Sequence, residues 1–314
     1  MRRAERRYRS LVIDSQRWDG FEFRDDDIVI STPAKCGTTW MQMLCALLIF
    51  QTPDLPGRLT ELSPWLDIQT EARDDVLATL EAQQHRRFIK THTPLDGIPF
   101  DERVTYISVG RDPRDVAVSW DNHFQNMNLG VFLQARAAAV GIDDLEEVLP
   151  DGPPIPSADP RDRFWQWMDD DTAALNGISG LRGTLHHLST FWAARGESNV
   201  ALFHYADLQA DLEGEFRALA GILGIEIDDN LVPALVDAAY FDSMRSRASE
   251  LAPQVKVEGF WNDDNRFFHV GGSGQWEQFM APGDAERYEK RVRGLAPPDL
   301  VAWAHAGKRA LTSA

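Results

Sequence analysis

The stretch Ile28-Val-Ile-Ser-Thr-Pro-Ala-Lys35-Cys-Gly37-Thr38-Thr39-Trp40 reads as a buried strand, a sharp turn and the opening of a helix that runs on through Met41 to Phe50. Such a turn gathers backbone N–H groups and the positive end of a helix dipole at one point, which suits phosphate or sulfate. Gly37 lets the backbone approach an anion, Lys35 adds a mobile charge, and Thr38 and Thr39 add hydroxyl donors. The nucleoside-triphosphate loop G-x-x-x-x-G-K-[ST] is absent, because here the lysine precedes the glycine. The stretch is an anion cradle of a different make.

A chain of 314 residues can bury a sizeable core as one large α/β domain or two small ones, and one domain is expected because no linker or repeat interrupts it. Its 49 acidic against 32 basic residues leave a formal charge of −17, which argues against general nucleic-acid binding. An anionic ligand must then be caught by a local basic pocket. Two cysteines, Cys36 and Cys45, point to a reducing compartment rather than a disulfide framework. The basic start (M-R-R-A-E-R-R-Y-R) has no apolar run after it, so no signal peptide is read. The apolar run Met41 to Phe50 falls far short of the ~20 residues of a membrane span. The expectation is a cytoplasmic protein with residues 1–20 as a flexible, solvated arm; peripheral contact of that arm with an anionic lipid surface is the alternative.

Outward from the cradle, Gln51 to Trp65 reads as loop and Thr70 to Gln84 as helix. Arg87-Phe-Ile-Lys90-Thr-His92 is a short strand, and Val104 to Gly110 is a second buried one. The helix after it runs to about Asn126, with Asp112 as N-cap and Pro113 at the first position. Residues 130–171 form a looser, variable insertion or lid. Further on come a helix from Gly183 to Arg195, a strand from Asn199 to Tyr205 and a helix from Leu208 to Leu223 capped by Asp207. Short helices over Leu231–Tyr240 and Ser243–Leu251 precede the glycine loop Val270–Gly274, and helices from Asp284 to Arg293 and from Pro298 close the chain. Strands alternating with helices imply a parallel sheet covered on both faces, with ligands beyond the carboxyl ends of its strands. Lys35, His92 and Arg111 all stand at such ends.

Lys90 and His92 are two apart on one strand and share a face. A histidine there can act as general base for a hydroxyl, and the lysine can stabilise developing negative charge. Arg111 and Ser119, near a helix start, make a second phosphate site; an ion pair of Arg111 with Asp112 or Asp115 is the alternative, and Arg114 is expected to be exposed. Cys36, beside a helix N-terminus where a thiol pKa falls, is a candidate nucleophile. It lacks the C-x-x-x-x-x-R pattern of a phosphatase, since Gln42 occupies the arginine position. His186 and His187 are not helically spaced and no ligand cluster completes them, so no metal is read. Trp120, His123, Phe124 and Met127 follow the phosphate helix and could line an acceptor pocket or the core.

Four stretches together resemble the PAPS-dependent, cytosolic-type sulfotransferases, PAPS being 3′-phosphoadenosine-5′-phosphosulfate. Lys35-Cys-Gly37-Thr38-Thr39-Trp40 is similar to their K-x-G-T-T-W loop and Lys90-Thr91-His92 to their K-T-H strand end. Arg111-Asp-Pro-Arg-Asp115-Val-Ala-Val-Ser119 is similar to R-[ND]-P-[KR]-D-x-x-V-S, and Gly271-Gly-Ser-Gly274-Gln-Trp276 to their late glycine loop. Within the family the chain looks most like mycobacterial glycolipid sulfotransferases, through Arg86 to Gly97 and Val200 to Asp207. The resemblance implies the P-loop-like sulfotransferase fold, a central parallel sheet flanked by helices. It also implies PAPS as sulfuryl donor without a metal, and a small-molecule, carbohydrate or glycolipid acceptor.

It further implies that Lys35 holds the bridging oxygen, Thr38 and Thr39 the 5′-phosphate, and Arg111 and Ser119 the 3′-phosphate. His92 is implied as the base and Lys90 as the stabiliser of the sulfuryl oxygens. Trp40 and Phe241 would sandwich the adenine, Tyr205 would hydrogen-bond it, and Gly271 and Gly272 would close over the nucleotide. Where the family carries Arg-Lys before the late glycine this chain has His269 and Val270, and where it carries Asp it has Gln275. Losing two charge-assisted contacts of ~1.5–3 kcal/mol each predicts weaker nucleotide binding, with Arg266 a possible substitute. The mammalian dimer motif K-x-x-x-T-V-x-x-x-E is not visible. A P-loop small-molecule kinase and an inactive nucleotide-binding protein are the competing readings.

Overall fold

The computed structural model describes residues 1–149, 152, 155–252, 259–268 and 270–312. Four short segments rich in β-branched and aromatic residues pair in parallel: β1 Ile28–Ser31, β2 Phe88–Thr91, β3 Thr105–Gly110 and β4 Val200–His204. Their order across the sheet is β2-β1-β3-β4, with Val29 opposite Ile89 and Tyr106, and Gly110 opposite His204. Nearly every strand residue is buried, as a parallel sheet covered on both faces requires. The chain leaves β1 for β2 on one side and returns to β3 on the other, so the crevice at the carboxyl ends of β1 and β3 is the topological switch point. This is a single α/β domain with a P-loop-like arrangement.

The helix Thr38–Phe50 is apolar almost all round and buried from Met41 to Leu48, the pattern of a core helix rather than a surface one. It packs with β1, β2 and Leu208–Ala239 in one core. A second core lies under the helices Pro113–Asn126, Pro160–Asp169 and Gly180–Ala193. Asp112 caps the first of these by accepting from the Arg114 N–H, and Pro113 stands in its first turn, as the sequence predicts.

Four expectations need correction. The loop Gln51–Trp65 holds a short helical turn, Leu59–Leu62. The insertion contains the helix Leu129–Val140, a short turn of helix, Leu145–Val148, and the helix Pro160–Asp169, whose Phe164, Trp165, Trp167 and Met168 are buried. Asp207 does not cap the helix expected of it: His204 caps Tyr205–Ala210, Asp211 caps Leu212–Leu223, and Asp207 instead accepts from the N–H of Lys308, the first residue of the helix Lys308–Thr312. Finally, residues 1–20 are no flexible arm. Tyr8 and Trp18 are buried, and the Arg2 N–H donates to the Phe100 carbonyl. Arg6, Arg7 and Arg9 pair with Asp96, Asp14 and Asp144, so these basic side chains are matched by carboxylates of the same chain. Among the described residues no helix is long and apolar enough to cross a membrane.

Candidate active site

Two left-handed residues, one on each side of Cys36, make the cradle. Lys35 has φ 68° and Gly37 φ 108°, left-handed positions of the kind that shape an anion-binding nest, while the Cys36 N–H is taken by the Pro33 carbonyl at 3.3 Å. A side chain on Gly37 would be strained by that φ and would meet Tyr205 at 3.2 Å. No side chain caps the helix that follows, so its first-turn N–H groups remain open to an anion. The Thr38 hydroxyl is held by Thr32 at 2.5 Å.

Arg111, at the end of β3, spans the crevice. Its Nη1 donates to the Lys35 carbonyl at 3.1 Å and its Nη2 to the Gly272 carbonyl at 2.8 Å. The guanidinium lies over the Tyr205 ring at 4.2 Å, and its Nε is buried with no hydrogen-bond partner among the described residues. The alternative of an ion pair with Asp112 or Asp115 is not realised. Asp112 pairs with Arg114 at 2.6 Å, and Asp115 accepts from the Gly274 and Gln275 N–H groups at 2.9 Å each. Asp115 thereby ties the late glycine loop to the phosphate helix, and Gln275 serves through its backbone. Gly271 has φ 57°, and a Cβ there would lie 2.3 Å from the Phe241 ring, so only glycine lets loop and ring close together. Arg114, expected to be exposed, is instead mostly buried and stacked 3.6 Å over Trp276.

At the mouth of the cradle stand His92 and Lys90. The His92 Nδ1 lies 2.7 Å from the Thr32 carbonyl; a carbonyl only accepts, so Nδ1 carries the proton and Nε2 keeps its lone pair. Burial, then the nearby Lys90 and Lys35 charges, push the His92 pKa down to about 3, the Thr32 bond opposing them. Burial, then Arg111 and Lys90, lower Lys35 to about 7. Burial lowers Lys90 to about 7, against the pull of Asp67. Lys90 Nζ sits 4.0 Å over the Trp65 ring, while Lys35 Nζ donates to His123 Nδ1 at 3.2 Å and lies 4.8 Å from the Phe267 ring.

These groups open on one cavity of about 390 Å³ that also takes in Thr39, Ser119 and Phe241. Trp40 lies edge-on to Tyr205 at 5.2 Å and donates to the Ala239 carbonyl. The cavity brings together every site residue expected from sequence except Gly272, which bonds Arg111 from behind the wall. Its lining also includes the apolar Trp120, Phe124, Met127, Phe132 and Trp261, and the N-terminal Leu11 and Val12. Lys35, Lys90, Arg111 and Arg266 line it, and among the described residues no Asp or Glu does. In a chain of charge −17 that segregation is a specific one. Val270 lines the cavity and is exposed; His269 lies outside the described residues.

Cys36 is fully buried, and burial pushes its thiol up to about 12 despite Arg111 and Lys35, which corrects the expected fall and removes it as a nucleophile. His187 donates from Nε2 to Ser31, and His186 contacts the Tyr8 hydroxyl; neither lines the cavity. Among the described residues no group of three or more His, Cys, Asp or Glu gathers as a metal site.

Residues 25–301 match the family described as Sulfotransferase domain. The chain is 49% identical to a glycolipid sulfotransferase of Mycobacterium bovis, covering 96% of this chain and 94% of that one. A glycolipid sulfotransferase of Mycobacterium tuberculosis is also 49% identical, with the same coverage. Among solved structures, a retinol dehydratase in complex with androsterone and inactive cofactor PAP superposes with a TM-score of 0.62 over 89% of this chain and 82% of that one, at 18% identity. The chain belongs to the sulfotransferase family.

Proposed function

We propose that the protein transfers the sulfuryl group of PAPS to a hydroxyl of an apolar acceptor, a glycolipid or a lipid-linked carbohydrate. The observation that carries this reading is the lining of the cavity, four cations and no carboxylate among the described residues, set among aromatic and apolar side chains. The residues fit the nucleotide: the open cradle amides suit the 5′-phosphosulfate, and the orphaned Arg111 Nε with the Ser119 hydroxyl suits the 3′-phosphate. Trp40 and Phe241 would enclose the adenine, with Tyr205 as its hydrogen-bond partner, under the loop of Gly271 and Gly272. When bound, PAPS supplies the sulfuryl group, its 5′-phosphate being the leaving group.

His92 Nε2 takes the proton of the acceptor hydroxyl; its low basicity leaves it unprotonated in the resting enzyme. Lys90 places charge beside the sulfuryl oxygens, and Lys35, with the cradle amides and Thr38 and Thr39, neutralises charge on the leaving phosphate. The 49% identity to two mycobacterial glycolipid sulfotransferases supports the acceptor class, as do the aromatic walls. With His269 and Val270 in place of two cations, nucleotide binding is proposed to be weaker than in relatives that keep both. Two free, buried cysteines fit a cytoplasmic location.

A kinase reading would require a carboxylate for Mg²⁺ at the strand end, where β3 delivers Arg111. Thermal-shift titration separates the two. Stabilisation by 3′-phosphoadenosine 5′-phosphate but not by Mg·ATP is expected; the reverse would sink the proposal. Arg111→Gln is expected to weaken that nucleotide by about 1.5–3 kcal/mol, roughly ten- to 150-fold in Kd, and an unchanged Kd would remove Arg111 from the phosphate site.

The lysines give a pH dependence with a definite sign. Both lose charge above about 7 in the free protein, and a bound anion restores it. Nucleotide binding near about pH 8 should therefore take up protons and weaken as pH rises. Calorimetry in buffers of different ionisation enthalpy checks this; a heat independent of buffer would contradict it.

A further inference from the structure

Behind the two reacting side chains lies Asp67, a fully buried carboxylate that no motif of the sequence marks. Trp65 Nε1 donates to its Oδ1 at 2.6 Å, and Trp18 Nε1 donates to its Oδ2 at 3.0 Å. The Thr93 hydroxyl donates to Oδ2 at 2.6 Å and the Thr91 hydroxyl to the same oxygen. An ionised carboxylate is acceptor-only, so four donors match its charged form. Three of those donors flank the chemistry. Thr91 and Thr93 bracket His92 on the chain, and the Trp65 ring carries Lys90 Nζ on its face at 4.0 Å and meets His92 edge-on at 4.7 Å. An indole whose N–H is given to a carboxylate has a more electron-rich face, which strengthens its hold on a cation.

We infer that Asp67 is a positioning residue for the transfer reaction: through Trp65, Thr91 and Thr93 it fixes the His92 ring and keeps Lys90 in place and charged. This rests on the function proposed above. Lys90 faces Asp67 and Trp65 from the loop before β2, His92 from its own strand, Lys35 from the cradle and His123 from the helix Pro113–Asn126. Arg17 of the N-terminal segment is a second cation on which the Asp67 charge acts. Asp67 is thus the one negative group acting on Lys90 among the described residues; burial works against Asp67's own charge, and its four donors work for it.

The test is Asp67→Asn in the full-length protein, with folding followed by thermal unfolding. The Lys90 side chain is titrated by NMR of carbon-labelled lysine, and kcat is measured against pH with PAPS and the acceptor that the wild type uses. Lys90 is expected to titrate lower, and the alkaline limb of kcat to move toward acid by about one pH unit. That shift is about a tenfold loss of kcat above neutrality, with the Kd for 3′-phosphoadenosine 5′-phosphate within about twofold of wild type at about pH 5.5, where Lys90 is charged in both proteins; Asp67→Glu, which keeps the charge, is expected to restore the limb. A Lys90 titration and pH profile unchanged in Asp67→Asn would overturn the inference. So would failure of both Asp67→Asn and Asp67→Ser to fold, which would make the carboxylate a folding element only. The NMR titration needs no donor or acceptor: a wild type that moves no sulfate while Lys90 still responds to Asp67 condemns the proposed function and leaves the coupling standing.

Discussion

His92→Ala is expected to lower sulfuryl transfer by about 10²–10⁴-fold while leaving nucleotide affinity close to wild type. The magnitude follows from how the ring is set up. Its Nδ1–H is committed to the Thr32 carbonyl, so the one nitrogen left to accept a proton opens on the cavity. Desolvation and the lysine charges make that nitrogen a weak base in the resting enzyme. A hydroxyl that attacks an electrophile grows more acidic as the bond forms, and a negative group arriving nearby raises the basicity of His92 at the same moment. Steady-state rates with saturating nucleotide check the expectation. A variant within a few-fold of wild type would place the base elsewhere, and His123, already bonded to Lys35, would be the next side chain to replace.

The second large effect is at Lys35. Lys35→Met, which keeps most of the apolar stem, is expected to lower kcat by about 10²–10³-fold, the usual cost of removing one preorganised donor from a site of developing charge. Lys35 is held in a left-handed backbone conformation by the turn, a strained arrangement kept where the surrounding structure imposes it. Its amine is parked on His123 and against the Phe267 ring rather than on a carboxylate, so no ion pair must break before it serves a leaving phosphate. Because Lys35 also depresses the His92 pKa, the variant should retain a slightly more basic His92. A comparison of kcat with KM for the nucleotide separates the roles: a loss confined to KM would make Lys35 a binding residue only.

Much of this was legible because the fold is local where the chemistry is. The cradle, the K-T-H strand end and the phosphate helix each lie within one strand–turn–helix unit, so buried strands, a glycine and an N-cap announce them. Their convergence follows from one rule about the carboxyl ends of parallel strands. What stayed hidden depends on partners distant in sequence. Asp67 sits in a stretch without periodicity, and its meaning comes from Trp18, Thr91 and Thr93. Asp115 looked like a partner for Arg111 and instead anchors a loop more than half a chain away. The N-terminal arginines read as a solvated arm because nothing local shows the carboxylates that meet them, or Arg136, fully buried, donating to the Leu11 carbonyl. Cys36 was misjudged because burial raises a thiol pKa more than a helix N-terminus and the nearby Arg111 and Lys35 charges lower it, and this thiol is sealed in the core. The helix Pro160–Asp169 had its signals in plain view, with Asp159 as cap, Pro160 in the first turn and four buried apolar residues; the proline- and aspartate-rich approach masked them.

The measurement that tests the account most directly is a single-turnover reaction of the purified protein with sulfate-labelled PAPS and a panel of acceptors that share one free hydroxyl and differ in apolar chain length. The cationic and apolar lining of the cavity predicts label on the hydroxyl of the long-chain glycolipid, falling as the chain is shortened, with one 3′-phosphoadenosine 5′-phosphate released per sulfate transferred. No transfer to any hydroxyl, or transfer of the terminal phosphate of ATP in its place, would contradict it.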